Sequence, residues 1–210
     1  MQGGAQTSPL RQPPPRLSQR LAYRLLAAFG WRVDVRWPPE PHGVIVVYPH
    51  TSNWDFAVGI VARYALGLPV RWVGKDTLFR GPMGRLFRRW GGIPVNRRQS
   101  TGFIGQLQEQ FAANPWMWVV ITPEGTRSHA AHWKSGFYHL ALAADVPVGL
   151  AYIDFGAREV GLREYLRMSG DTETDLARIR AAYAGKVGRT PANAGEIRFR
   201  DEESRPPPLS

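Results

Sequence analysis

A histidine and an aspartate lie five residues apart in the stretch YPHTSNWDF, residues 48–56, directly after the apolar run GVIVV. Histidine exchanges protons near neutral pH, and an aspartate bonded to one ring nitrogen leaves the other nitrogen as a base. On a continuous helix, five positions would separate His50 and Asp55 by about 140°. The two side chains can therefore meet only if the chain bends between them.

The surrounding sequence predicts such a bend, because Val44–Val47 has the composition of a buried strand and Phe56–Leu66 has helical periodicity. Ser52 and Asp55, three positions apart, fit the capping-box pattern of a helix start. One interpretation is that Asp55 only caps the helix and His50 is a loop residue. The other is that the pair activates a substrate hydroxyl. A protein nucleophile is not predicted, because the chain has no cysteine and the nearby Ser and Thr lack a nucleophile-elbow pattern.

Predicted strands and helices alternate along the chain, and together they must position this turn. Trp116–Ile121 and Val146–Ile153 predict two more buried strands, and helical patterns are found at residues 100–113, 136–144 and 171–184. This alternation predicts an α/β fold, a single layered domain with a mixed, largely parallel β-sheet flanked by helices. In such sheets functional groups gather at the carboxyl ends of the strands, which is where the turn containing His50 would lie.

The domain is predicted to span residues 16–200, between disordered tails at 1–15 and 201–210 that are rich in proline, serine or charge. An N-terminal amphipathic helix at residues 16–30 places leucines at helical spacing beside a stripe of arginines. Such a helix would either pack on its own domain or lie on an anionic bilayer. No apolar run is long enough for a spanning helix and the polar start has no signal-peptide pattern, so we expect a soluble or peripheral protein.

The formal net charge of +10 is concentrated in two parts of the chain. Residues 1–36 hold six arginines against one acid, and residues 71–98 hold eight basic residues against one aspartate. Such asymmetry predicts an anionic partner, which could be nucleic acid, an anionic membrane surface or a phosphorylated substrate.

Four stretches, in order, resemble the sequence blocks of the glycerolipid (lysophospholipid) acyltransferase family. HTSNWD, residues 50–55, resembles its H-x-x-x-x-D motif. VGKDTLFRGPMGRLFRRWGGIPVNRR at 73–98, ITPEGTRS at 121–128 and VPVGLAYI at 146–153 resemble the second, third and fourth blocks. The resemblance covers about half of the chain, and the ordered set is more specific than any one stretch.

The resemblance implies a glycerol-3-phosphate acyltransferase-like fold and an O-acyltransferase similar to 1-acylglycerol-3-phosphate acyltransferases. A fatty acyl group would pass from acyl-CoA or acyl-ACP to a hydroxyl of a lyso-phospholipid or glycerophosphate-type acceptor. His50 would be the general base and Asp55 would orient it. Guanidinium groups bind phosphate bidentately, and glycine permits close backbone approach. The resemblance implies substrate binding by residues of the second and third blocks, with Glu124 holding an arginine in place: Arg97, Glu124, Gly125, Thr126 and Arg127.

No metal and no bound cofactor are expected, since the acyl thioester is a co-substrate. The expected partners are an acyl thioester donor, a lyso-lipid acceptor and an anionic membrane surface, without nucleic acid. We expect a cytoplasmic protein, peripheral at the inner face of the membrane. Asn96 stands where many family members carry an acid, so a non-phosphate acceptor such as an amino-acid or glycosylated lyso-lipid remains an alternative. A non-enzymatic basic module that binds membrane or nucleic acid is the other alternative.

Overall fold

Seven strands form one sheet in the computed structural model, which describes residues 16–95 and 100–200. Their spatial order is β1-β7-β6-β2-β5-β3-β4. The strands are β1 (Arg32–Val35), β2 (His42–Val47), β3 (Arg71–Lys75), β4 (Gly92–Val95), β5 (Met117–Ile121), β6 (Val148–Asp154) and β7 (Glu159–Leu166).

Five neighbouring strands, from β6 to β4, run parallel to one another. β7 pairs antiparallel with β6, and β1 runs parallel with β7 at the outer edge. The predicted mixed, largely parallel sheet is therefore confirmed. Because β2 and β5 are adjacent and parallel, the segments that follow them emerge side by side at the carboxyl edge of the sheet.

Helices cover both faces of this sheet. The α-helices are α1 (Leu17–Ala28), α2 (Asn53–Leu66), α3 (Gly81–Arg89), α4 (Ser100–Ala113), α5 (Gly136–Ala143) and α6 (Thr172–Ala182), and short 3-10 helices occur at Asp76–Phe79 and Pro191–Asn193. Val44 and Val46 of β2 pack in a core with residues of α4, α5 and α6, whereas Ile45 packs with Leu66 of α2. Alternate residues of a strand face opposite sides of a sheet, so the described residues form one three-layered α/β domain.

The predicted central strands and the helices between them lie within three residues of their observed bounds. α2 begins at Asn53, three residues before the predicted start, because Ser52 caps it. β1, β3, β4 and β7 were not predicted. The two tails fall outside the described residues.

The N-terminal helix, α1, packs on α2 through one side and exposes its leucine stripe on another. Leu26 is buried, whereas Leu17, Leu21 and Leu25 are 74%, 55% and 49% exposed. In residues 16–95 and 100–200, no helix has both the length and the apolar character that crossing a bilayer requires.

Candidate active site

The turn between β2 and α2 brings His50 against Asp55. The chain passes through a cis Tyr48–Pro49 bond, and His50 Nδ1 then lies 3.2 Å from Asp55 Oδ2. The side chains of His50 and Asp55 are only 13% and 1% exposed. Asp55 therefore does more than cap the helix, and His50 is not a loose surface residue.

Backbone N–H groups just before α2 hold the carboxylate of Asp55 in place. Its Oδ2 accepts hydrogen bonds from the N–H groups of Thr51 at 2.7 Å and Ser52 at 2.8 Å. Burial disfavours the charged carboxylate, but the His50 ring and these two N–H groups outweigh burial and lower the pKa of Asp55. The carboxylate therefore stays ionised and can orient the imidazole and balance its positive charge.

Glu124, which follows β5, reaches the same turn from the neighbouring strand. Its Oε2 accepts from the backbone N–H of His50 at 2.7 Å, and its Oε1 accepts from the N–H of Gly195 at 2.8 Å. The residue is 3% exposed, and burial raises the pKa of its carboxyl to about 7. We expected Glu124 to hold an arginine; within the described residues its oxygens meet backbone N–H groups instead.

The Nδ1 contact with Asp55 leaves Nε2 of His50 as the ring nitrogen available to a substrate. A cavity of about 410 Å³ opens beside this ring and lies between α2 and the sheet. Asp55 and Leu66 both line it and are eleven positions apart on α2, which is about 16 Å along the helix axis. Away from the His50 end the lining is mostly apolar, including Ile45, Val47, Ile60, Leu66, Leu68 and Leu162.

The third sequence block lines the polar end of this cavity. Gly125, Thr126 and Arg127 all contribute to the lining, and Thr126 and Arg127 are exposed. Gly125 has a φ of +67°, a left-handed conformation that glycine adopts without strain. Arg97 lies outside the described residues. In the part of the chain that is described, no three His, Cys, Asp or Glu side chains are grouped closely enough to hold a metal ion.

The sequence did not indicate Thr190 and Gly195, whose backbone N–H groups hold the turn through Thr51 and Glu124. Thr51 is 3% exposed, and its hydroxyl accepts from the N–H of Thr190 at 3.1 Å. Gly195 donates to Glu124 as described above. Both partners lie far along the chain in an irregular segment without periodicity, so no sequence pattern could have identified them.

A family model described as Acyltransferase matches residues 35–151. No curated protein sequence matches the chain. Among solved structures, the chain is similar to the 1-acyl-sn-glycerophosphate (LPA) acyltransferase PlsC from Thermotoga maritima. The TM-score is 0.51 at 17% identity, over 78% of this chain and 74% of that one. At this identity the likeness is one of fold, whereas the family model covers more than half of the chain and includes the turn with His50 and Asp55.

Proposed function

The chain belongs to the acyltransferase family, and from this we propose that it moves a fatty acyl group from an acyl thioester, acyl-CoA or acyl-ACP, to a hydroxyl of a lyso-phospholipid or glycerophosphate-type acceptor. One observation carries the proposal: the His50–Asp55 pair lines a long, mostly apolar cavity. Esterification of a hydroxyl requires a base that accepts the hydroxyl proton, and a long apolar cavity beside that base can bind the acyl chain of the donor.

His50 acts as the general base in the proposed reaction. Its Nε2 takes the proton from the acceptor hydroxyl while that oxygen attacks the thioester carbonyl carbon. The carbon–sulfur bond then breaks, and the leaving thiolate takes the proton from the imidazolium, so an ester and a free thiol result. Asp55 holds the ring through Nδ1 and stabilises its positive charge during the transfer.

The donor's acyl chain occupies the cavity between α2 and the sheet. Binding the chain there removes apolar surface from water, at about 0.8 kcal/mol for each buried CH₂ group. The thioester carbonyl then lies at the polar end of the cavity, next to the His50 ring. Binding energy from the unreactive chain thus helps to orient the reacting carbonyl.

The acceptor binds through the polar end of the cavity, where Arg127 and Thr126 are exposed and where Arg97 is proposed to contribute. A guanidinium group matches the geometry of a phosphate and forms paired, charge-assisted hydrogen bonds with it. The similar solved protein is named as an acyltransferase of 1-acyl-sn-glycerophosphate, which supports a phosphate-bearing acceptor. Asn96 stands where many family members carry an acid, and this departure is the reason for keeping a second candidate acceptor, an amino-acid or glycosylated lyso-lipid.

The proposal includes peripheral contact with the inner face of the cytoplasmic membrane. The exposed leucines of α1 continue into Phe29, which is 67% exposed, and Arg20 and Arg24 are exposed on the same helix. An open groove of about 720 Å³ between α1 and α2 adds Trp54 to this apolar surface. Apolar side chains beside arginines are the composition of a helix that lies on an anionic bilayer.

Thiol release from palmitoyl-CoA tests the proposed reaction. The protein has no cysteine, so a thiol-reactive dye reports only the released coenzyme A. We expect release that depends on added lysophosphatidic acid, and a panel of amino-acid and glycosylated lyso-lipids separates the two acceptor classes. Absence of release with every acceptor and with both acyl-CoA and acyl-ACP donors would contradict the enzyme and favour a basic binding module.

A further inference from the structure

The segment 186–199, which follows α6, contacts the ends of three central strands; we call it the C-terminal strap. It touches Phe155, Thr51 and Glu124, which lie one to four residues after the ends of β6, β2 and β5, so it crosses the carboxyl edge of the sheet. The strap lies outside residues 35–151, the part of the chain that the family model matches. We propose that it is a positioning element of the active site, which holds the turn containing His50 through two contacts, one with Thr51 and one with Glu124.

The first contact is with Thr51, the neighbour of His50. The N–H of Thr190 donates to the Thr51 hydroxyl at 3.1 Å, and Thr51 in turn donates its own N–H to Asp55 Oδ2 at 2.7 Å. Gly188 packs so closely that a Cβ there would lie 2.7 Å from Thr51 Oγ1 and 2.9 Å from Thr51 Cγ2. The strap therefore fixes Thr51, and Thr51 fixes the carboxylate that orients the imidazole.

The second contact is with Glu124, which joins the strap directly to His50. One carboxyl oxygen accepts from Gly195 of the strap and the other accepts from the backbone N–H of His50. Glu124 is buried, so loss of either N–H donor would leave a buried polar group without its partner. Through this carboxyl, the position of the strap determines where the backbone of His50 lies.

Contacts at both ends anchor the strap independently of the site. At its start, the N–H of Phe155 donates to the carbonyl of Val187 at 2.8 Å, and the ammonium of Lys186 lies 3.7 Å from the centre of the Tyr152 ring. Near its end, the N–H of Trp133 donates to the carbonyl of Arg198 at 2.8 Å. Because both ends of the strap are held, the strap cannot move away as a whole when a side chain is added at Gly188. The displacement is therefore passed to Thr51.

The variant Gly188→Ala tests the first contact without removing any polar group. Gly188 does not have a positive φ, so alanine fits its backbone, and the added Cβ presses mainly on Thr51 and less closely on Pro49 Cβ, at 3.1 Å. We expect kcat to fall by about 10- to 100-fold, because small misplacements of reacting groups cost that much, while the KM for the acyl donor stays close to wild type. The melting temperature should fall by a few degrees, because a Cβ this close to the buried Thr51 overpacks the contact. The matched control is Gly105→Ala on α4, where an added Cβ meets no atom within 4 Å.

A double-mutant cycle shows whether the effect passes through Thr51. Thr51→Ala removes the two atoms nearest to the new Cβ and leaves only Pro49 Cβ at 3.1 Å, so Gly188→Ala should cost much less in that background than in the wild type. If the two losses in kcat simply multiply, the strap does not act through Thr51 and the inference is overturned.

This inference rests on the proposed function, and a second readout separates their failures. The NMR signal of the His50 ring Nδ1–H should shift in Gly188→Ala, return towards its wild-type position in the double variant and stay unchanged in Gly105→Ala. A wild-type protein that transfers no acyl group would contradict the proposed function. The ring signal would still show whether the strap positions the His50 ring. An unshifted ring signal in Gly188→Ala overturns the inference whatever the activity.

Discussion

At the scale of single residues, Glu124 makes the junction between the strap and the His50 turn sensitive to pH. Burial raises the pKa of its carboxyl from 4.5 to about 7. Between these values the folded protein keeps a proton at Glu124 that the unfolded chain has released. The associated stabilisation is fully present below pH 4.5 and is lost as the pH rises through 7, a change of about 3 kcal/mol at most.

Replacing Glu124 by Gln should remove this pH dependence. The glutamine oxygen can accept from only one of the two N–H groups, and its amide would oppose the other, so the variant should be less stable at pH 5. The difference in unfolding free energy between wild type and variant should then shrink between pH 5 and pH 8, as measured by urea unfolding at each pH.

Glu109→Gln provides the control, since Glu109 is exposed on α4. Its unfolding free energy should follow that of the wild type at every pH. A difference between wild type and Glu124→Gln that stays constant from pH 5 to pH 8 would show that the carboxyl does not titrate in this range.

At the scale of elements, α2 supplies both Asp55, which contacts His50, and one wall of the cavity between α2 and the sheet. Gly59 lies on this wall, and the nearest atom to a Cβ there is Ile153 Cδ1 at 3.7 Å. Gly59→Leu should therefore project into the cavity, while leucine stabilises the helix by up to about 1 kcal/mol relative to glycine. We expect kcat/KM to fall for palmitoyl-CoA and to change little for short-chain acyl-CoA.

Measuring kcat/KM over a series of acyl-CoA chain lengths checks this prediction, with Gly105→Leu on α4 as the control variant. An equal loss for every chain length would mean that the cavity does not hold the acyl chain.

The helix α1 should determine attachment to anionic membranes. Leu21 and Leu25 are exposed on it, so Glu at both positions removes apolar contact and introduces charges that anionic lipids repel. Sedimentation with phosphatidylglycerol-containing vesicles should show strong loss of binding for Leu21→Glu with Leu25→Glu. Leu142→Glu, at an exposed leucine on α5, should bind like the wild type. Equal binding by all three proteins would exclude α1 from the membrane contact.

At the scale of the whole molecule, the centre of the fold is predictable from sequence and its edges are not. β2, β5 and β6 are apolar runs because both of their faces are covered by helices. β3 begins with Arg71 and ends with Lys75, and β7 carries charged residues along its length, so neither has the apolar run that marks a buried strand. β3 forms because β4 and β5, both distant in sequence, offer their backbones to it. β7 forms a hairpin with the preceding strand β6, but its charged residues conceal it from a search for apolar runs.

The contacts of the candidate site also divide into those that local sequence indicates and those that depend on distant parts of the chain. The turn that contains His50 and Asp55 follows from a local capping pattern and could be predicted, whereas their contact was one of two interpretations that the spacing left open. The bond from His50 to Glu124 spans 74 residues and depends on β2 and β5 being adjacent in the sheet. The contacts of Gly188 and Gly195 depend on the path of an irregular segment, for which neither periodicity nor composition provides a signal.

The acceptor-dependent rate of thiol release by His50→Ala tests the central claim most directly. If His50 is the general base, this rate should fall by about 10²- to 10⁴-fold relative to wild type, and Asp55→Asn should also lose most of its activity. His129→Ala, which changes an exposed histidine close to the third block, should keep the wild-type rate. A His50→Ala protein that retains a rate within twofold of the wild type would contradict the account.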